Sequence, residues 1–268
     1  MATQRVGAGK IVKLSWIDNP DKSWREYGEL DPYFGVLTEE RFRKSNLTTE
    51  ALEGFFASGE SHVAAILAML HDQVAPSLQM SDALDFGCGV GRIVIPFASR
   101  FAKVTGIDIS ESYRVEALKN CRDRGIDNVQ LFETLSPLLE ANARFDLIHS
   151  SIVFNHIPWV RGKGIIIQMF ELLRPGGAMA VQVMISCGAS TGRRAGRWIR
   201  RNFLPANWLV NIARGRSAFE PLMQGNPYPL GELLPLLKAA GAGIFYIKLD
   251  TTAAGEVFAT LFCTKASA

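Results

Sequence analysis

From Asp82 onward short apolar runs alternate with amphipathic stretches, and this alternation leaves the chain few possible folds. Ala83-Leu84-Asp85-Phe86, Val104-Thr105-Gly106-Ile107, Val129-Gln130-Leu131-Phe132, residues 145–153 and residues 178–185 read as five strands. Helical patterns lie between them at about 93–101, 112–124 and 165–173; Gly125 closes the second and Pro175-Gly176-Gly177 the third. Pro96 is tolerated in a first helical turn. The run at 145–153, with Phe145, Leu147, Ile148, Ile152 and Val153, reads as a strand covered on both faces. Strands alternating with helices specify βαβ units and a doubly wound parallel sheet, which binds ligands beyond the carboxyl ends of its strands. Residues 230–240 read as a further helix, and 244–249 and 256–263 as two more strands. The link between those two is too short for a crossover, so they form an antiparallel hairpin. The expected architecture is therefore α/β: a doubly wound, seven-stranded, mostly parallel sheet with an antiparallel C-terminal hairpin.

The remaining sequence divides around that core. Residues 1–60 read as an N-terminal extension and helical cap, with Trp16, Trp24, Tyr27, Tyr33 and Phe34 as aromatic anchors among turn residues. Residues 61–186 are the ligand-binding core, 187–226 a basic insertion, and 227–268 the helix and hairpin that complete the core. Two helices are expected before Asp82. The second carries Val63, Ile66, Leu67, Leu70 and Val74 at helical spacing behind a Ser61 cap, and Pro76 stops it. A chain of 268 residues with 48% hydrophobic and 21% charged side chains can bury a full core, which excludes wholesale disorder. The four cysteines form no CxxC pair and the four histidines no HxxxH or HExxH spacing. That pattern suits free thiols in a reducing compartment and gives no support for a metal site. The first twenty residues contain no continuous apolar segment, which argues against a signal peptide. The longest uncharged stretch, 175–192, is interrupted by four glycines and a proline and does not read as a membrane span. A cytoplasmic location is expected, with contact at the inner face of a membrane as an option.

The most informative stretch is Asp85-Phe86-Gly87-Cys88-Gly89-Val90-Gly91-Arg92. Three alternate glycines after a strand let the backbone turn sharply and approach a ligand, with amides directed from the next helix. A purely structural strand-to-helix turn is the simpler reading of the glycines alone. Asp85 would repel a bare phosphate there but welcome an ammonium group. Asp108 ends the second strand 23 residues later, where an acid can accept hydrogen bonds from both hydroxyls of a ribose or else cap the next helix. A dinucleotide fingerprint would need glycine at position 92, and a phosphate-binding P-loop would need GKS or GKT.

Together with Gly106-Ile107-Asp108-Ile109-Ser110, Phe145-Asp146-Leu147-Ile148 and Leu172-Leu173-Arg174-Pro175-Gly176-Gly177, this stretch resembles the class I S-adenosylmethionine-dependent methyltransferases, a Rossmann-like superfamily. The likeness covers about residues 82–185, and the final hairpin fits it too. It implies that Gly87, Cys88, Gly89, Gly91 and Arg92 pass the methionine portion of S-adenosylmethionine, with Asp85 near its amino group. Asp108 would hold the ribose and Ile109 lie against the adenine. Glu133 or Thr134 would replace the family's usual aspartate at the adenine amino group, and Ser150 and Ser151 would border the sulfonium. Two other classes fit less well. A nicotinamide-dependent oxidoreductase is opposed by Arg92 and by the lack of a YxxxK sequence, and a non-catalytic cofactor-binding protein of the same fold would keep the same loop and acids.

Methyl transfer to a small or medium-sized acceptor, at oxygen or nitrogen, needs alignment and water exclusion more than a dedicated base. Tyr33, Asn155, His156, Arg197 and Arg200 are the candidate acceptor contacts. His156 is also the candidate general base, against the alternative of a loop histidine bonded to backbone. His149 reads as a core or cofactor-wall residue, and His62 and His71 as structural. Residues 187–226 hold seven arginines and one acid, a local charge of +6. Arg193, Arg194, Arg197, Arg200 and Arg201 share about a third of a turn, with Ala195, Trp198, Ile199 and Phe203 on the other side. This basic helix is expected to rise over the cofactor cleft as a lid. Its arginines could be simply solvated over a packed apolar face, could attract an acidic acceptor, or could join Trp198 in peripheral contact, through 193–212, with an anionic membrane carrying a lipid-linked acceptor. No nucleic-acid-binding module is evident.

Overall fold

The computed structural model describes residues 19–188, 191–213 and 217–266. Seven strands form one sheet: β1 (Asp82–Phe86), β2 (Lys103–Ile107), β3 (Val129–Phe132), β4 (Phe145–Ser150), β5 (Leu173–Ser186), β6 (Ala242–Thr251) and β7 (Val257–Lys265). Their order is β3-β2-β1-β4-β5-β7-β6. The first five run parallel, while β7 pairs antiparallel with both β5 and β6. The sequence-based architecture is what the chain adopts. Strand order reverses between β1 and β4, so the carboxyl ends of these two strands flank the topological switch point where such sheets bind ligands.

Ten α-helices are described: α1 (Pro20–Leu30), α2 (Pro32–Val36), α3 (Thr49–Gln73), α4 (Val94–Ala98), α5 (Glu111–Arg122), α6 (Ser136–Glu140), α7 (Trp159–Glu171), α8 (Thr191–Asn202), α9 (Leu204–Ala213) and α10 (Leu230–Ala239). Where two helices were expected before β1, α3 is one continuous helix of 25 residues capped by Thr48, whose hydroxyl accepts from the Ala51 amide. Ser61 is not a cap. Its hydroxyl donates to the Ala57 carbonyl, and that of Ser58 to the Phe55 carbonyl, so both serines are satisfied inside the helix. Gly59 is present because α3 crosses the loop after β1 there: a Cβ would lie 2.0 Å from the Arg92 carbonyl oxygen. Similarly α7 starts at Trp159, not 165, because Gly162 meets the ring of Tyr228 and does not end a turn. Residues 151–153 lie beyond β4, and β5 begins at Leu173, ahead of its irregular Pro175-Gly176-Gly177 stretch.

β4 is buried along its whole length. Its one acid, Asp146, is neutralised locally: Oδ2 accepts from the Ser81 and Asp82 amides, and Oδ1 pairs with Arg174 at 2.7 Å. A second Arg174 nitrogen reaches Asp82, so one guanidinium joins the starts of β1, β4 and β5. The cap is bound to the core by an aromatic cluster including Tyr27, Phe34, Phe42, Phe55 and Tyr113. Trp16 lies outside the described residues.

Candidate active site

A cavity of about 330 Å³ opens at the carboxyl ends of β1, β2 and β4. The glycine loop forms its floor. Gly87, Gly89 and Gly91 take φ values of +80°, +52° and +93°, a region that side-chain-bearing residues rarely adopt. The resulting turn brings the Gly87 and Cys88 amides to the Ile107 carbonyl at 2.7 and 2.9 Å, fastening the loop to the end of β2. Cys88 is buried, and burial pushes its thiol well above the ordinary value, so it remains protonated.

Two charged groups mark one end of the cavity. Asp85 is buried and accepts from His149 Nδ1 at 2.7 Å, while His149 Nε2 lies 2.9 Å from His62 Nε2. Asp85, His149 and His62 thus form one buried chain of polar contacts running from the cavity into α3. Burial, reinforced by the charges of neighbouring groups, pushes His62 down to about 3. Arg92 also lines the cavity and is buried, and its Nε has no hydrogen-bond partner among the described residues. Burial lowers the guanidinium below the usual arginine value, and the Asp85 charge opposes that shift. An orphaned buried cation beside a buried carboxylate is a costly arrangement that a zwitterionic ligand would satisfy.

Asp108 marks the other end. Its Oδ1 accepts from the Ser110 amide and its Oδ2 from the Gly89 amide, both at 2.9 Å. The helix-capping role belongs to Ser110, whose hydroxyl accepts from Tyr113. Each Asp108 oxygen keeps a further lone pair for a ligand hydroxyl. Burial pushes the carboxyl up to about 6 in spite of the two amides. Ile109, Glu133 and Thr134 line the same side, and Glu133 pairs with Arg25 of α1 at 3.0 Å.

Several other candidates lie elsewhere. Ser151 lines the cavity, but Ser150 turns away and donates to the Phe86 carbonyl. Gly91 shapes the loop without lining the cavity, its amide bonded to the Cys88 carbonyl. Tyr33 faces a neighbouring groove between α1 and α5, where its hydroxyl meets Glu116 and Asn120. Asn155 is buried behind the wall, bonded to His156 and Asn226. Arg200 bonds the Asn207 side chain of α9, and the side chain of Arg197 lies outside the described residues. None of the described residues of α8 or α9 lines the cavity. The roof comes from Pro20, Asp21 and Trp24 of α1 and from Val36 of α2. These helices follow no glycine motif, and only tertiary packing brings them over the loop.

His156 does line the cavity, with Trp24 against its ring at 4.6 Å. Its Nδ1 donates to the Gln224 carbonyl at 2.8 Å, and its Nε2 accepts from Asn155 at 3.1 Å. Burial pushes it down to about 4. Both ring nitrogens are thus engaged, one of them with backbone. Sequence reasoning missed Ile152, which holds a φ of +62° at the cavity wall. A β-branched residue there is strained, and the Gln182 side chain fixes it by accepting from both the Ile152 amide and the Ser151 hydroxyl.

The profile of a family described as a methyltransferase domain matches residues 83–177. The malonyl-[acyl-carrier protein] O-methyltransferase of Salmonella typhimurium is 26% identical over 170 residues, 61% of this chain and 63% of its own. A ubiquinone biosynthesis O-methyltransferase of Maricaulis maris is 25% identical over 53% of this chain and 52% of its own. The chain thus spans less than two thirds of the length of these curated relatives. Among solved structures, the magnesium protoporphyrin IX methyltransferase of Synechocystis PCC 6803 superposes with a TM-score of 0.57 at 16% identity, covering 92% of this chain and all of the other. The N-methyltransferase NodS of Bradyrhizobium japonicum gives 0.55 at 15% identity, over 92% of this chain and 99% of its own. Residues 83–177, which carry both charged ends of the cavity, are thus the part of the chain that is similar to a methyltransferase domain.

Proposed function

We propose that this protein transfers a methyl group from S-adenosylmethionine to an oxygen or nitrogen of a small or medium-sized acceptor. One observation carries the reading: a single cavity is lined by buried Asp85 and Arg92 and by an Asp108 carboxylate with lone pairs to spare. The residues fit the cofactor. Asp85 would take its ammonium group, the unpartnered Arg92 Nε its carboxylate, Asp108 its ribose hydroxyls, and Ile109 with Glu133 or Thr134 its base. When bound, the cofactor supplies a methyl group already activated on a sulfonium. A dinucleotide fits less well, because its pyrophosphate would lie on a loop flanked by Asp85.

The chain's own contribution is placement and exclusion of water. Trp24 and Val36 roof the cavity, and Ile152 and Val153, held by Gln182, form the wall beside Ser151. Apart from Asp85 and Asp108, which this reading gives to the cofactor, the described titratable lining residues that could serve as a base are engaged: His156 at both nitrogens, Asp21 with Arg161 at 2.6 Å, and Glu133 with Arg25. An acceptor that arrives with its lone pair available, as a carboxylate, a phenolate or an unprotonated amine, suits such walls. Relatives named for malonyl-[acyl-carrier protein], ubiquinone biosynthesis and trans-aconitate support a small-molecule acceptor. Short matches to RNA methyltransferases cover less than a third of this chain. Calorimetry tests the reading: S-adenosylhomocysteine should bind with micromolar affinity and NAD should not. Binding of NAD with S-adenosylhomocysteine ignored would overturn it.

A further inference from the structure

The insertion between β5 and α10 has its polarity reversed. In α9, Asn207 and Asn211 are buried and bond the Ala218 and Glu220 carbonyls, while Leu209 and Ile212 point outward, Leu209 at 69% exposure. Trp198 (67%), Ile199 and Phe203 are exposed at α8 and its end, and Phe219 (73%) lies edge-on to Trp208. The apolar side of the basic helix therefore does not pack on the domain as a soluble lid would require. Soluble proteins seldom present this many large apolar side chains from one short segment without a partner.

The charge around the patch indicates what that partner is. α8 carries five arginines and no acid in twelve residues. The segment's one carboxylate, Glu220, turns inward to Arg43, which also holds Asp31. The patch thus combines tryptophan, phenylalanine, leucine and isoleucine with cationic charge and no outward acid. A protein partner would not require that combination, whereas the headgroup and acyl boundary of an anionic bilayer matches both halves of it. We infer that α8 and α9 dock the protein peripherally on an anionic membrane surface, with Trp198, Phe203, Leu209 and Ile212 entering the interface.

This inference does not depend on the identity of the acceptor. Vesicle flotation tests it, with vesicles of phosphatidylcholine alone and of two parts phosphatidylcholine to one part phosphatidylglycerol. The wild type should float with the anionic vesicles, stay behind with the neutral ones, and detach in high salt. Trp198→Ser/Leu209→Ser/Ile212→Ser should weaken flotation about tenfold or more, given the apolar area removed. Val160→Ser, at an exposed site of α7, should float like the wild type. Calorimetry with S-adenosylhomocysteine verifies that the triple variant is folded, and keeps loss of docking distinct from loss of the cofactor site. No flotation of the wild type, equal flotation of the triple variant, or a wild-type dimer that the triple substitution dissociates would each overturn the inference; the last would assign the patch to a second copy of the chain.

Discussion

Asp108 and Arg92 make separable demands on a bound ligand, so they can be tested separately. In the proposed role Asp108 would accept ribose hydroxyls most strongly when ionised, and burial pushes its carboxyl up to about 6. Affinity for S-adenosylhomocysteine should therefore be full above that pH and fall, by up to about tenfold per unit, below it. Calorimetry between pH 8 and 5 measures this, and Asp108→Asn should bind about ten- to a hundredfold more weakly with a nearly flat profile. Arg92→Leu removes only the partner of the amino-acid tail. It should weaken S-adenosylhomocysteine by about ten- to a hundredfold while leaving 5′-methylthioadenosine, which lacks that tail, unchanged. Equal losses for both ligands would refute the assignment to the carboxylate. Both residues could be found from sequence because a glycine loop and an acid at fixed spacing are local signals. Trp24 and the strained Ile152 could not, since one reaches the cavity only through packing of α1 and the other is defined by a backbone angle.

Elements were legible where periodicity was undisturbed and misread where glycine or serine had a tertiary purpose. All seven strands follow from apolar runs, but Ser61 resembles a cap although it sits inside α3, and α7 begins at Trp159, ahead of the expected start at about 165. Such residues record what lies against the helix, which a single sequence does not reveal. α3 offers a test within one element. A Cβ at Gly54 meets nothing within 4 Å, whereas at Gly59 it would strike the Arg92 carbonyl. Gly54→Ala should stabilise the protein by about 0.5–1 kcal/mol through helix propensity. Gly59→Ala should cost about 1–3 kcal/mol by overpacking and, by displacing the loop after β1, weaken S-adenosylhomocysteine binding too. Urea denaturation of both variants, with calorimetry on the second, decides it. In the insertion the amphipathic pattern of α8 was visible from spacing, whereas the burial of Asn207 and Asn211 on α9 follows from the Ala218 and Glu220 carbonyls they meet, which no local pattern announces.

Across the whole molecule, buried histidines join segments far apart in the chain. His62 of α3 meets His149 of β4, and His156 holds the Gln224 carbonyl beyond the basic insertion. Burial pushes His62 to about 3 and His156 to about 4, so between pH 6.5 and 4 the unfolded chain binds up to two protons that the folded one refuses. Stability supplied by these groups is intact above their unfolded value and is lost as pH falls. Asp108 acts in the opposite direction: raised to about 6, it takes up its proton in the folded state before the unfolded one does, which offsets about one of the two. The three groups together should make stability decline by about one proton's worth, about 1.4 kcal/mol per pH unit, from about pH 6.5 to 4.5. Asp108→Asn removes the offset and should roughly double that slope. Urea midpoints collected for both proteins from pH 7 to 5 test this directly; parallel curves would show that Asp108 is not the opposing group, and flat ones that the histidines do not stay neutral in the folded protein.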